Sequence, residues 1–396
     1  LCKGNLQAIV GQMYDDLETE AAKEGEEALR LAKGKRDSGF QIFYVFINIG
    51  GLIAPFVAPL LRSWWLGVHN LTYNASLPEL CHKFINNGGN LVGQDLDNIT
   101  KLVSEVGGSE VTLEFCQRYL DVFNAGVHYS FIASVVAMLI SMVIFVVTKK
   151  KLPNPAKKEA HKAVDYTPEE KAAMASEIKR RLYALFAVLG VAIFWFSFHQ
   201  NGQSLSVFAR DFIVTSSIPP EIWQAVNPFF VIVLTPIIMA IFGALARRGR
   251  SISTPRKIAI GMAIAAIAYV FLAILSMING FPSGDEFRAM DQTAQNAMKS
   301  GAWVLIVTYF FLTVAELFIS PLGLSFVSKV APKHLQGLCQ GLWLGATAIG
   351  NLLIWIGPLM YNKIPLWQCW TVFAIVCIIS MGIMLAMVKW LERVAH

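Results

Sequence analysis

The chain has 396 residues, 55% of them hydrophobic and 15% charged, with a mean hydropathy of +0.52 and a formal charge of +6. A soluble domain carries about 25% charged residues, so this composition excludes an ordinary water-soluble globular protein. It places the chain among polytopic membrane proteins.

In chain order, apolar runs long enough to cross a bilayer, about 20 residues each, fall at 40–62, 127–147, 182–205, 220–246, 257–278, 303–327, 338–360 and 366–388. Residues 1–14 read as the end of a further helix that begins upstream, residue 1 being Leu. The segment 63–126 is too long for a plain connection and predicts a small element of its own. Helical spacing shows at Asn98–Val106 and Val111–Leu120, whereas 93–97 reads as irregular. This segment contains the sequons at Asn70, Asn74 and Asn98, and two cysteines, Cys81 and Cys116. A disulfide between them and two free thiols are both compatible with the sequence. A capture cap and a simple decoration are the two readings of the whole insert. The segment 148–181 starts with three lysines and reads as a charged linker, with Thr167 and Pro168 as a helix start. It divides the chain into 1–147, a partial N-terminal bundle with its insert, and 182–396, a six-helix bundle. Two six-helix halves are the pattern of a twelve-span transporter.

Lys and Arg sort the loops. The segments 15–39, 148–181, 247–257, 328–337 and the tail after 388 hold 24 of them, and the alternate loops hold 8. Basic residues favour the cytoplasmic side. The expectation is a multi-pass protein of the cell (inner) membrane with a cytoplasmic C-terminus. The net charge then reflects topology, and no nucleic-acid partner is expected.

Polar residues inside the spans are the candidate site. Glu316 lies in the middle of the run 303–327, where a charge costs a few kcal/mol and normally faces a polar cavity with a function in it. Ser320 lies one turn on. Tyr44 and Asn48, four apart, share a helix face; Asn48 fits either a cavity or an interhelical hydrogen bond. Pro321 predicts a break in its helix.

Four segments carry a resemblance. FYVFINIGG at 43–51, LCKGNLQAIVGQMY at 1–14, FWFSFHQNGQSLSVFA at 194–209, and ELFISPLGLSFVSKVAP at 316–332 with GLCQGLWLGATAIGN at 337–351 resemble signature segments of the proton-coupled oligopeptide transporter family, a branch of the major facilitator superfamily. The likeness covers nearly the whole chain outside the loops, in the right order. It implies helices 4 to 12 of a twelve-helix fold, an all-α membrane protein with two helical bundles, the first incomplete. The family's E-x-x-E-R-F motif belongs to helix 1 and is not in this sequence.

The resemblance implies a symporter that imports di- and tripeptides with protons, by alternating access, with no organic cofactor or metal. A peptide zwitterion needs a cation, an anion and roomy apolar walls. Lys3 and Glu316 would supply the charges, Asn227 and Ser320 further polar groups, and Trp195 and Trp343 the walls, with Tyr44 and Asn48 beside them. Proton coupling or gating would involve Lys3, His199, Gln200 and Glu316. His199 stands where many members carry an acid, so coupling by that route is altered here; a proton-exchanging His and a neutral hydrogen-bonding one both fit. Other major facilitator transporters, a membrane enzyme and a non-transporting nutrient receptor are the alternatives. The sequence has no H-E-x-x-H or G-x-S-x-G motif to favour the enzyme.

Overall fold

The computed structural model describes residues 2–74, 76–152, 168–189, 192–214, 223, 225–250, 252–331 and 335–395. Among these residues the structure is helical, with no strand beyond a single bridge between Ile213 and Ser300. Among the described residues seven helical segments are long and apolar enough to span a membrane, with 336–363 counted as one. Helices are the expected solution, because an α-helix satisfies all its backbone groups within one segment.

The helices, in order, are α1 (Cys2–Gln12), α2 (Asp15–Glu24), α3 (Glu26–Val68), α4 (Leu77–Asn86), α5 (Gln94–Glu105), α6 (Leu113–Thr148), α7 (Pro168–Leu189), α8 (Ile193–Phe198), α9 (Ser204–Phe212), α10 (Val226–Arg247), α11 (Thr254–Ile278), α12 (Gly284–Ala289), α13 (Gln292–Met298), α14 (Trp303–Val330), α15 (Gln336–Leu352), α16 (Ile356–Lys363) and α17 (Leu366–Ala395). Contacts group residues 1–51 with 153–396 as one compact unit, and residues 52–152 as another. This grouping differs from a division in chain order, because the first half of α3 is bound to the C-terminal helices by buried polar contacts. The linker residues 153–167, Thr167 among them, lie outside the described residues; α7 begins at Pro168.

In the larger unit, α11 packs along both α14 and α17. The core is aromatic at one end, where Phe212 lies 4.2 Å from Phe287 and 4.7 Å from Phe281, ring to ring. In the membrane such packing, rather than expulsion from water, holds helices together. The expected span 182–205 is not one helix. α8 gives way to a 3-10 turn at His199–Gly202 before α9 begins. The run 338–360 is likewise divided, between α15 and α16 at residues 353–355. By contrast, α14 continues unbroken through Pro321. A proline removes one backbone hydrogen bond, which neighbouring helices can make tolerable inside a bundle.

The smaller unit contains the insert. Leu77, Ile99, Val103 and Tyr119 form its core. α5 starts at Gln94, with Asp95 and Asp97 in its first turn where acids favour a helix, so the 93–97 stretch is more regular than its letters suggest. Thr112 Oγ1 accepts from the Phe115 amide at 3.0 Å and starts α6. Cys81 and Cys116 are free thiols here, both fully buried, and hydrogen-bonded to each other. The disulfide reading of the sequence is therefore not what this structure holds: the thiols sit protonated in an apolar core, and burial raises the Cys81 pKa well above its ordinary value.

Candidate functional site

Glu316 sits at the middle of α14, 9% exposed. Three elements bring donors to it. From α3, the Tyr44 hydroxyl donates to Glu316 Oε1. From the first turn of α10, Asn227 Nδ2 donates to Glu316 Oε2 at 2.7 Å and reaches Thr313 Oγ1 at 3.1 Å. Ser320, the next turn of α14, hydrogen-bonds the Tyr44 hydroxyl. The sequence thus yields Tyr44, Asn227, Glu316 and Ser320 as one cluster, and the structure adds Thr313. Thr313 lies three residues before Glu316, so the i, i+3 rule was its available signal. Asn48 belongs to the same stretch of α3, but its Nδ2 donates to the Tyr44 carbonyl at 2.9 Å. Its side chain also hydrogen-bonds the Tyr44 hydroxyl, which joins it to the cluster.

The chemistry of this arrangement follows from the donor set. Both oxygens of Glu316 are held by neutral donors, and among the described residues no Lys or Arg pairs with it. A buried carboxylate without a cation is set to take one, as an ammonium or as a proton. Lys3 belongs to α1, which packs against α15 and α14; its side chain lies outside the described residues.

Trp195 and Trp343 meet edge to face at 6.2 Å. With Phe194, Met262 and Ile319 they line a small apolar pocket on α8, α11, α14 and α15. Trp343 packs against α14 because position 323 is Gly: a Cβ there would stand 2.2 Å from the indole. His199 stacks on Trp195 at 5.2 Å and hydrogen-bonds Asn351. It has no carboxylate beside it among the described residues.

Gln200 occupies the 3-10 turn between α8 and α9 and is fully buried. Its Nε2 donates to the Phe196 carbonyl at 3.3 Å and to the Ile354 carbonyl at 3.1 Å; its Oε1 accepts from Ser204 at 2.7 Å. The two helix interruptions therefore meet at one amide. Gly357 makes room for it, since a Cβ there would lie 2.0 Å from Gln200 Oε1.

A second charged group lies at the basic-rich end of the same unit. Asp37 of α3 is 6% exposed and accepts from Lys329 at 2.7 Å, Lys257 at 3.1 Å and Ser325 at 2.5 Å. Beside it Arg36, 2% exposed, reaches Asp15 at 2.7 Å, Glu18 at 2.8 Å and Ser328 Oγ at 3.0 Å. Sequence reasoning did not single these residues out.

The profile described as PTR2, POT family, matches residues 1–161 and 154–367. The chain belongs to the POT family, whose members are transporters rather than enzymes, and it is a multi-span membrane protein. Its relatives include the dipeptide and tripeptide permease B of Shigella dysenteriae serotype 1, 26% identical over 90% of this chain and 70% of that one. Another is the peptide transporter YePEPT of Yersinia enterocolitica subsp. palearctica, 27% identical over 80% of this chain and 60% of its own. A third is the uncharacterized transporter YclF of Bacillus subtilis, 25% identical over 99% of this chain and 72% of its own. The chain spans about 60% of the length of most of the curated relatives it matches. Among solved structures, a peptide transporter POT in complex with sulfate is similar over 99% of this chain and 95% of that one, at 17% identity and a TM-score of 0.49.

Proposed function

We propose that this protein imports di- and tripeptides together with protons, by alternating access, with Glu316 as the group that takes the peptide ammonium or the coupling proton. The observation that carries the reading is the Glu316 cluster: a mid-span carboxylate with both oxygens held by neutral donors, Tyr44 and Asn227. Such a group binds a cation more readily than one already neutralised by a lysine. Ser320 is a further polar contact, and Trp195 and Trp343 are apolar walls for variable side chains. Lys3, one helix away, would hold the peptide carboxylate. His199 and Gln200 would take part in gating. Membership of the POT family and the peptide-transporter names among the relatives support the substrate class.

The protein would lie in the cell membrane with its basic loops and C-terminus in the cytoplasm. In support, Lys257, Lys329 and Asp37 are in contact at one end of the larger unit, and Arg256 pairs with Glu392 of α17. The loops grouped by their charge thus approach one another in space.

The test is uptake of labelled dialanine into proteoliposomes under an inward proton gradient. Wild-type protein should concentrate the peptide. Glu316→Gln keeps the shape and one of the two acceptor oxygens but cannot carry the charge, and uptake should fall to background while the protein remains folded. Normal accumulation by inserted Glu316→Gln would overturn the assignment.

A further inference from the structure

Cys81 and Cys116 are the two cysteines of the insert, and neither takes part in the site at Glu316. They reach each other from separate helices. Leu77, Leu80, Cys81 and Phe84 are the buried residues of α4, spaced as one helical face. Cys116, Tyr119 and Leu120 are buried in the first turns of α6, also on one face. α4 packs on α6, and the two faces share one core. Both cysteines are 0% exposed, and their thiols hydrogen-bond to each other.

A buried cysteine is ordinarily a small hydrophobe with a weak donor. Either residue alone in this core would need no other account. Two thiols in contact are the arrangement from which an S–S bond forms. The insert is also an element that gains from one. Its core of buried hydrophobic side chains is only thirteen residues among those described, and an element that small is marginal unless something else holds it. The polar ties secure residues 70–74 rather than α4. The Thr72 amide donates to the Val106 carbonyl at 3.1 Å, the Asn74 amide to the Tyr119 hydroxyl at 3.2 Å, and that hydroxyl to the Thr72 carbonyl at 3.2 Å. On α4, Lys83 pairs with Glu79 at 3.2 Å and with Asp95 of α5 at 3.9 Å, exposed contacts that hold little. The apolar face is what attaches α4 to α6, and Cys81 is central in it.

The compartment follows from α6 itself. Cys116 is in its first turn, Lys149–Lys151 follow its far end, and no Asp, Glu, Lys or Arg falls between 122 and 148. Basic residues favour the cytoplasmic side, so the cysteine end faces outward, where disulfides persist.

We propose that Cys81 and Cys116 close to a disulfide on the outer side of the membrane, a covalent staple that keeps α4 on α6. The structure holds the pair in its reduced form. On closure two S–H bonds break and one S–S bond forms. Two protons go to water, and two electrons go to a disulfide oxidant, which leaves as two thiols. One thiolate attacks a sulfur of the oxidant; the other then attacks the mixed disulfide and expels the second thiol. Neither sulfur is reachable in the folded insert, so the exchange takes place while α4 is off α6, and docking then shields the bond from reduction. The inference rests on the proposed orientation in the membrane and not on peptide transport.

The experiment uses the full chain in right-side-out membrane vesicles prepared without reductant. The protein is denatured in excess maleimide and its fragments are weighed. Fragments carrying Cys81 and Cys116 should be joined, lighter than the two free thiols by two hydrogens, while Cys339, Cys369 and Cys377 carry maleimide. Insert sulfurs alkylated as fully as those three overturn the proposal. Protease added outside should cut slowly within residues 70–112. A phosphine reductant should speed the cutting on the order of a hundredfold, through the entropy regained when the 81–116 loop opens, and oxidised glutathione should slow it again. A bond whose reduction leaves the cutting unchanged overturns the staple. Cys81→Ala with Cys116→Ala should be cut at the fast rate with no response to phosphine. If that double variant does not fold, the reduced wild-type protein decides, since its core is unaltered in volume. If protease reaches the insert only once the vesicles are opened, the orientation is what fails, and the maleimide result decides the bond separately.

Discussion

Gly357 offers a substitution whose sign is the opposite of the ordinary one. It lies in the first turn of α16, where Gly→Ala normally stabilises a helix by up to about 1 kcal/mol. Here the added Cβ would stand 2.0 Å from Gln200 Oε1, 2.3 Å from its Cδ and 2.4 Å from its Nε2. Gln200 is fully buried and cannot swing into solvent. Displacing it leaves the Ser204 hydroxyl and the Gln200 amide itself without these partners, at about 1–3 kcal/mol for each buried group left unpaired. Gly357→Ala should therefore destabilise by about 2–5 kcal/mol, less the helix gain. The control is Gln200→Ala, which removes the same hydrogen bonds from the other side. Once the amide is gone the methyl added by Gly357→Ala no longer meets it, so the double variant should be no less stable than Gln200→Ala alone. The coupling is then about 2–5 kcal/mol, far above the roughly 0.5 kcal/mol expected of independent sites. Denaturant unfolding of the four proteins in one detergent measures it. Additive single effects would refute the claim that the two helix interruptions are joined at this amide.

Lys3→Ala should abolish proton-driven accumulation of dialanine, because the peptide carboxylate loses its cation. Accumulation against a gradient by folded Lys3→Ala would remove Lys3 from the coupling scheme. His199 is enclosed by Trp195 and Phe198, 5.2 and 5.7 Å away ring to ring, with Asn351 as its hydrogen-bond partner and no facing carboxylate among the described residues. His199→Gln should lower uptake evenly with pH; a profile that flattens between about pH 5.5 and 7.5, around the ordinary histidine value near 6.5, would show that His199 exchanges protons.

Much of this was legible in the letters, for identifiable reasons. Glu316 could be read because a charge in the middle of an apolar run has no cheap structural explanation. Tyr44 and Ser320 could be read because helical spacing carries them to one face or one turn. Asp37, Lys257 and Lys329 could not, since charges at the ends of spans are ordinary and only the fold shows that these are buried together. The interruptions at 199–202 and 353–355 were hidden because hydropathy does not distinguish an i→i+4 helix from a tighter turn. Pro321 misled in the other direction: the sequence marks the lost hydrogen bond, but not the neighbouring helices that make its loss tolerable.

The two buried carboxylates that α3 brings to α14 or receives from it have been given opposite surroundings. Asp37 has two lysines and two hydroxyls. Glu316 has a phenol and a carboxamide. A carboxylate already neutralised by two ammonium groups gains little from a third cation, whereas leaving those partners is costly. Its use is to hold a conformation. A carboxylate held only by neutral donors keeps its charge uncompensated, so an arriving ammonium or proton gains most there. The donors fix its position without cancelling its charge. On the proposed function the ligand site is at Glu316, while Asp37 serves to hold α3 against α14. Tyr44 and Asp37 lie on one continuous helix, so an event at the first is mechanically close to the second. A ligand that loosens Tyr44 from Glu316 frees α3 at mid-span, while the Asp37 cluster and the Arg36–Ser328 bond still hold it at the charged end.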